Sequence, residues 1–219
     1  ISDLDIPRIK DYLAKRNPTI PFEQSKLKSI LCTLHVAAIN GDFHIKKSAV
    51  LLFAKSPALF IQQNQIKLVR FRGTIAADII DGETLSDTLL DNINKSLDFI
   101  RKHTKTALKI ETLEREEIPE YPHVALREAV INAIIHKDYY SPAAAQVNIF
   151  DDRIEISNPG GLLPSKQLDR LIGTQPESRN EHLARAFRRY KICEERGSGL
   201  LKAGLATELY GLPPIQFDA

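Results

Sequence analysis

Apolar positions recur along the chain with two spacings, one typical of helices and the other typical of strands. Helical periodicity predicts seven helices: residues 1–18, 22–38, 47–55, 84–103, 123–137, 180–190 and 199–209. Shorter or alternating apolar runs predict four strands: residues 66–72, 107–113, 145–150 and 153–157. Helices and strands in this order indicate an α+β fold.

An irregular segment with two prolines, residues 118–122, marks a predicted domain boundary. Residues 1–118 form a mixed α/β region. Residues 119–219 are expected to form an α/β sandwich, with helices on one face of a mixed, mainly antiparallel sheet. Its last two strands form a hairpin, because Asp151-Asp152 is a short turn between two alternating runs.

Composition narrows the function classes. The chain has 30 basic and 28 acidic residues and a net charge of +2, which gives no electrostatic case for tight nucleic-acid binding. No apolar run approaches the roughly 18–20 residues of a membrane helix, so no membrane association is expected. The two cysteines, Cys32 and Cys193, fit no metal-binding spacing. We therefore expect a reducing, cytoplasmic location.

Two polar residues on an otherwise apolar helix are the first candidates for chemistry. Glu128 and Asn132 are four residues apart, which places both on one helix face. A carboxylate beside an amide oxygen can hold a hydrated Mg²⁺ and orient a water molecule against a phosphate. The alternative is a surface stripe with an ordinary hydrogen bond.

Two glycine segments are the next candidates. Gly160 and Gly161 follow a strand in Asn158-Pro-Gly-Gly, where glycine permits positive φ and close approach of a ligand. Gly197 and Gly199, after Arg196, precede a helix whose free N–H groups could bind phosphate. The alternatives are a tight turn and a loop-to-helix junction.

Other polar groups have more than one interpretation. His136 and Asp138 are either an acid/base pair or a helix C-terminal histidine with a neighbour. The basic stretch over residues 185–191 is either a phosphate-binding or a solvated face. The chain contains no Walker Gly-x-x-x-x-Gly-Lys-Ser/Thr run, no Gly-x-Gly-x-x-Gly after a strand and no Gly-x-Ser-x-Gly elbow, which disfavours a motor ATPase, a Rossmann dehydrogenase and a serine hydrolase.

The order of these motifs resembles the gyrase–Hsp90–histidine kinase–MutL type of ATP-binding fold. A helix with Glu-x-x-x-Asn precedes a hairpin, a glycine turn, a loose loop and Gly-x-Gly before a helix. The letters of residues 125–139, 150–162 and 194–199 are similar to proteins labelled RecG-related ATP-dependent DNA helicases or transcriptional regulators. Residues 49–53 and 70–73 match as well. Such proteins commonly carry an AlbA-like, Schlafen-type DNA-binding domain before this region.

The resemblance implies a role for each candidate residue. Glu128 would be the base that orients water, and Asn132 would be the Mg²⁺ ligand. Asn158 stands where the wider fold has an aspartate that accepts the adenine amino group. Gly160 and Gly161 would let the base approach. Further along the chain, Arg196, Gly197 and Gly199 would lie by the phosphates, with residues 162–196 as a lid.

The resemblance favours an ATP-binding, slowly hydrolysing module of a DNA-associated transcriptional regulator, with ATP and Mg²⁺ as cofactors. It implies a homo-oligomer whose assembly responds to nucleotide, and DNA contacts through domains outside this chain. The fold needs closing strands after the last helix, so the ATP-binding domain is expected to be incomplete. One alternative is a degenerate domain used for dimerisation or scaffolding. Another is direct DNA binding by residues 185–191.

Overall fold

The structure is a computed structural model that describes residues 1–16, 21–110, 115–172, 177–190, 192–193 and 198–218. Within these residues the helices are α1 (Ile6–Arg16), α2 (Leu27–Thr33), α3 (Lys47–Phe53), α4 (Leu89–His103), α5 (His123–His136), α6 (Glu181–Arg189) and α7 (Gly199–Leu209). The strands are β1 (Ala37–Asn40), β2 (Asp42–Ile45), β3 (Ile66–Arg72), β4 (Asp78–Leu85), β5 (Thr106–Ile110), β6 (Arg115–Pro119), β7 (Ala145–Ile149) and β8 (Ile154–Ser157).

The main sheet has four strands in the order β4-β3-β7-β8. Strand β3 pairs parallel with β7, from Ile66 opposite Ala145 to Arg70 opposite Ile149. The β3–β4 and β7–β8 pairs are antiparallel. The sheet is therefore mixed and mainly antiparallel, which confirms the predicted α+β fold class.

One face of this sheet is buried beneath helices, as the alternation in its strands predicts. Leu68 of β3 and Ala145 and Val147 of β7 are almost completely buried, whereas Gln146, between Ala145 and Val147, is exposed. Helices α4 and α5 pack beside each other on the sheet. The buried apolar residues of both helices belong to the same core cluster as the strands. This packing holds α5 in place along the sheet.

The sheet takes strands from both sides of the predicted boundary at residue 118. Strands β3 and β4 precede that boundary and β7 and β8 follow it. The core cluster also contains residues of α1 and α6, and the Tyr12 hydroxyl of α1 donates to the Ala186 carbonyl of α6 at 3.1 Å. The division into residues 1–118 and 119–219 stays a prediction.

Two small hairpins lie outside the main sheet. The helix predicted over residues 22–38 ends at Thr33, and β1 pairs with β2 around Gly41, which has a φ of 78°. The prediction was wrong there because the Asn-Gly-Asp turn outweighs the helical spacing before it. Strand β6 pairs with β5 where part of an irregular linker was predicted.

Helix length bears on the predicted lack of a membrane span. In the part of the chain that the structure describes, no helix combines the length and the apolar character that a membrane crossing requires. The cytoplasmic location stays a prediction.

Candidate functional site

A polar stripe on α5, formed by Glu128, Asn132 and His136, is the centre of the candidate site. The three residues follow one another at four-residue spacing, and each is half-buried while neighbouring Ile131 and Ile135 are buried. The Asn132 amide donates a hydrogen bond to Glu128 Oε1 at 3.0 Å. At 1.5 Å per residue the stripe is about 12 Å long. The predicted pairing of Glu128 and Asn132 on one helix face is present.

The first residue of α7 lies against the Glu128 end of the stripe. A Cβ atom built on Gly199 would overlap the Glu128 carboxylate. Only glycine therefore lets the start of α7 approach this carboxylate so closely. The free N–H groups of a helix start carry partial positive charge, which favours an anionic group there. The structure thus brings the predicted residues Glu128 and Gly199 together.

The glycine turn, residues 158–161, lies against the His136 end of the stripe. Gly160 has a φ of 111°, a conformation that favours glycine. A Cβ atom at this position would also lie 3.2 Å from the Asp138 Cβ and 3.2 Å from Arg179 Nε. The backbones are tied together, because the Asp138 N–H donates to the Pro159 carbonyl at 2.8 Å.

The other two residues of this turn are placed less tightly. The Asn158 side chain is half-buried, and its amide donates to the Pro159 carbonyl at 3.3 Å. Gly161 has open space where a Cβ would be, and its carbonyl accepts from Arg179 Nη2 at 2.8 Å. The two ends of the stripe are therefore each covered by one of the predicted glycine segments.

Arg179 and Asn180 belong to this site, although the sequence analysis did not single them out. Asn180 directly precedes α6, yet its side chain does not cap that helix. Its amide instead donates to the carbonyls of Ile135 and Lys137, both at 2.7 Å, and so completes the end of α5. An asparagine before an amphipathic helix was the available signal, but that signal predicts a cap of its own helix.

Two positively charged side chains lie near His136. Burial lowers the pKa of His136, and the nearby charges of Arg179 and Lys166 lower it further. The imidazole is therefore neutral near pH 7 and offers a flat, uncharged ring at its end of the stripe. This environment disfavours a charged helix-terminal histidine, one of the two interpretations of its sequence position.

The buried Lys137 lies next to this end. Its ammonium group donates to the Ala143 carbonyl at 2.5 Å, and burial lowers its pKa while Asp138 opposes that shift. The side chain is only 2% exposed. Lys137, the residue before Asp138, thus links the end of α5 to the loop that precedes β7.

The chain before α7 is anchored near Glu128. Arg127 Nη2 donates to the Ile192 carbonyl at 2.5 Å. Burial raises the pKa of the adjacent Cys193 thiol to about 11, so it stays protonated at neutral pH. The predicted site residues Arg196 and Gly197 lie outside the described residues.

The polar groups of the stripe could bind Mg²⁺ only if a bound ligand supplied further oxygen atoms. Among the described residues there is no group of three or more His, Cys, Asp or Glu side chains placed to hold a metal. Glu128 and Asn132 could supply one carboxylate and one amide oxygen. Mg²⁺ is commonly held by one or two carboxylates plus substrate phosphates and water. The residues present therefore fit an ion that arrives with phosphate.

The basic stretch on α6 is partly neutralised within its own helix. Glu181 lies 2.9 Å from Arg188 and 3.7 Å from Arg185. Lys191 lies outside the described residues. This pairing lowers the net positive charge of the face for which direct DNA binding was considered.

Comparison with known proteins supports the resemblance in the second part of the chain. Residues 143–219 match the family described as "Putative ATP-dependent DNA helicase recG C-terminal". This match confirms the RecG-related resemblance and identifies an ATPase-like domain of a helicase-labelled family. It does not extend to the AlbA-like, Schlafen-type domain.

A solved structure shares the fold. The DIP2311 protein from Corynebacterium diphtheriae superposes with a TM-score of 0.73 at 20% sequence identity. The alignment covers 97% of this chain and 42% of that protein, so the chain spans less than half of its neighbour's length. Comparison with curated proteins gives no match.

Proposed function

We propose that the chain binds ATP along the polar stripe of α5 and hydrolyses it slowly. The observation that carries the proposal is the arrangement of two glycine segments at the two ends of a stripe about 12 Å long. Gly160 lies against Asp138, two residues beyond His136, and Gly199 lies against Glu128. An extended nucleoside triphosphate has a comparable length, with a base at one end and phosphates at the other.

The phosphates belong at the Glu128 end. The start of α7 supplies N–H groups there, and Asn132 Oδ1 has no hydrogen-bond partner among the described residues. That oxygen would hold Mg²⁺, which would supply neutralisation of phosphate charge. Glu128, oriented by the Asn132 amide, would hold a water molecule and accept its proton.

The base belongs at the His136 end, where a neutral ring and a glycine turn meet. Gly161 leaves this part of the turn open to a flat group, because nothing lies within 4 Å of the position that its Cβ would occupy. Residues 162–172 and 177–180, which link the turn to α6, would then lie beside the bound nucleotide. Arg179, whose guanidinium contacts the turn, belongs to this part of the proposed lid.

The biological role we propose is regulatory. The family description names a DNA helicase, but these 219 residues contain no Walker motif, which a strand-separating motor would use. We propose an ATP-dependent module of a DNA-associated transcriptional regulator. DNA would be bound by regions outside this chain, and nucleotide would control the lid or the assembly of a homo-oligomer.

Thermal unfolding with and without millimolar Mg²⁺-ATP tests the proposed binding. Ligand at about 100 times its Kd stabilises the folded state by about 2.7 kcal/mol, a shift of a few degrees for a protein of this size. We expect this shift in the wild type and its loss in Asn132→Ala.

The matched control is Asn148→Ala on β7. Among the described residues, its side-chain amide makes one hydrogen bond, to Gln146 Oε1 of the same strand at 3.5 Å. We expect this variant to keep the full shift. No shift in the wild type would contradict ATP binding and favour the scaffold alternative. An equal loss in both variants would contradict the placement on α5.

A further inference from the structure

We infer that Lys46, Lys47, Tyr140 and Arg185 form a surface that binds single-stranded DNA. This inference goes beyond the proposed function and does not depend on ATP binding. Only the choice of DNA over RNA rests on the DNA-associated role proposed above. Three of the four residues lie outside residues 143–219, which match the helicase-labelled family, and the description of that family assigns no contact to any of them.

Contacts between three segments make this surface continuous. The Lys47 ammonium, at the start of α3, lies over the Tyr140 ring, 4.1 Å from its centre. Tyr140 belongs to the loop after α5. That loop is tied to the start of α6, because the Asn180 amide donates to the Lys137 carbonyl at 2.7 Å. The aromatic ring therefore lies between a lysine of α3 and the first turn of α6.

The start of α6 adds further basic groups to the surface. His182 and Arg185 are three residues apart, which places them on one face of the helix. Burial lowers the pKa of the His182 imidazole, and the charges of Lys46 and Arg185 lower it further. Lys46 and Arg185 therefore both lie near this imidazole. Of the basic stretch over residues 185–191, only Arg185 is part of the surface.

The positive charge of the surface is only partly neutralised. Among the described residues, neither Lys46 nor Lys47 forms an ion pair. Arg185 shares the carboxylate of Glu181, at 3.7 Å, with Arg188, which lies at 2.9 Å. One carboxylate cannot neutralise two guanidinium groups. The surface thus has a local excess of positive charge, although the whole chain has a net charge of only +2.

The exposed ring of Tyr140 favours a nucleic acid over other anions. Tyr140 is 83% exposed, whereas the preceding Tyr139 is buried. An acidic peptide would need only the positive charges, but an unpaired base can stack on an exposed aromatic ring whatever its sequence. The bases of a duplex are already paired and stacked on one another. A single strand is therefore the ligand that uses both the ring and the cations.

Fluorescence anisotropy of a labelled oligothymidylate, about 20 nucleotides long, tests the inference at increasing salt. With three cations on phosphates, the logarithm of the affinity should fall against the logarithm of the salt concentration with a slope of about −2, or about −0.7 for each phosphate. Tyr140→Ala should weaken binding about tenfold at an unchanged slope, since a stacked base is lost and no charge. Tyr140→Phe keeps the ring and should bind like the wild type.

The cations are tested in the double variant Lys46→Gln, Lys47→Gln. Two of the three phosphate contacts are then lost, so the slope should become about −0.7. The matched controls are Lys67→Gln on β3 and Tyr210→Ala after α7, which change exposed residues that do not belong to this surface. Both controls should keep the wild-type affinity and slope.

Four results would overturn the inference, and none of them bears on ATP binding. The first is a wild type that does not bind oligothymidylate at about 50 mM salt. The second is full affinity in Tyr140→Ala together with equally tight binding of labelled polyglutamate, which would assign the surface to an acidic protein. Tighter binding of oligouridylate of the same length would overturn the choice of DNA. An equal change of slope in Lys67→Gln and in the double variant would show that diffuse charge attracts the strand.

Discussion

The two ends of the polar stripe both require glycine, but for different physical reasons. At the His136 end, Gly160 has a φ of 111° and its neighbours include the Cβ of Asp138. At the Glu128 end, Gly199 has no such φ, and the atoms nearest to its Cβ position are those of the Glu128 carboxylate, the end of a flexible side chain. At the first end the φ of the backbone itself disfavours a side chain, whereas the second end can open if Glu128 rotates away.

Substitutions at the two ends should therefore affect different properties, the free energy of unfolding at one end and turnover at the other. A residue with a Cβ at the φ of Gly160 cannot relax without moving the end of β8 and the segment after α5. A carboxylate can move without disturbing the fold. We therefore expect changes at the His136 end to lower the free energy of unfolding, and changes at the Glu128 end to act mainly on turnover.

The largest effect is expected on hydrolysis in Glu128→Gln. The amide keeps the shape of the side chain but no longer accepts a proton from water, so turnover should fall at least about 100-fold. Single-turnover release of labelled phosphate measures this rate. Glu155→Gln is the control, since Glu155 is exposed on β8 and pairs with Arg153. Hydrolysis by Glu128→Gln at the wild-type rate would exclude Glu128 as the base.

The next largest effect is expected in Gly160→Ala. A Cβ at positive φ beside Asp138 should lower the free energy of unfolding by about 1–3 kcal/mol. Urea unfolding measures this loss. The neighbouring Gly161→Ala is the matched control, because that site has open space and no positive φ. Its stability should stay within about 0.5 kcal/mol of the wild type. Equal losses in both variants would show that the turn as a whole is sensitive, not the Gly160 backbone.

A smaller loss of stability is expected in Gly199→Ala. The new Cβ must displace the Glu128 carboxylate, which should lower the free energy of unfolding by about 1 kcal/mol, at the low end for overpacking. When Glu128 is already truncated in a Glu128→Ala variant, the added Gly199→Ala substitution should cause no further loss of stability.

Gly204→Ala supplies the control within the same helix. Nothing lies within 4 Å of its added Cβ, so this variant should be neutral or stabilised by up to about 1 kcal/mol. A loss at Gly199→Ala that persists without the Glu128 side chain would contradict the contact between α7 and α5.

The smallest effect concerns pH. Because burial and the charges of Arg179 and Lys166 lower the pKa of His136 in the folded state, the unfolded chain protonates first, near its ordinary value of 6.5. Stability is fully present above that pH and decreases as the pH falls towards the folded pKa. His136→Gln should reduce the difference in the free energy of unfolding between pH 7 and pH 5, as measured by urea unfolding. An unchanged difference would contradict the buried, neutral imidazole.

Much of the candidate site could be predicted from short sequence motifs. The apolar period around Glu128 and Asn132 identified α5 and the face that they share. The Asp151-Asp152 turn identified the β7–β8 hairpin, and Asn158-Pro-Gly-Gly identified the turn after it. In each case the signal spans a few residues, and the backbone preference of those residues decides the conformation.

Contacts between distant segments were decided only in the tertiary structure. The sequence marked Gly199 as a helix start, but not as the residue that meets Glu128. It also gave no sign that Asn180 would complete α5 instead of capping α6, or that Asp138 would lie against Gly160. Backbone propensity is a property of neighbouring residues along the chain. Which helix start reaches which carboxylate depends on how α5, α6 and α7 pack around one core, where burial and not local sequence selects the partners.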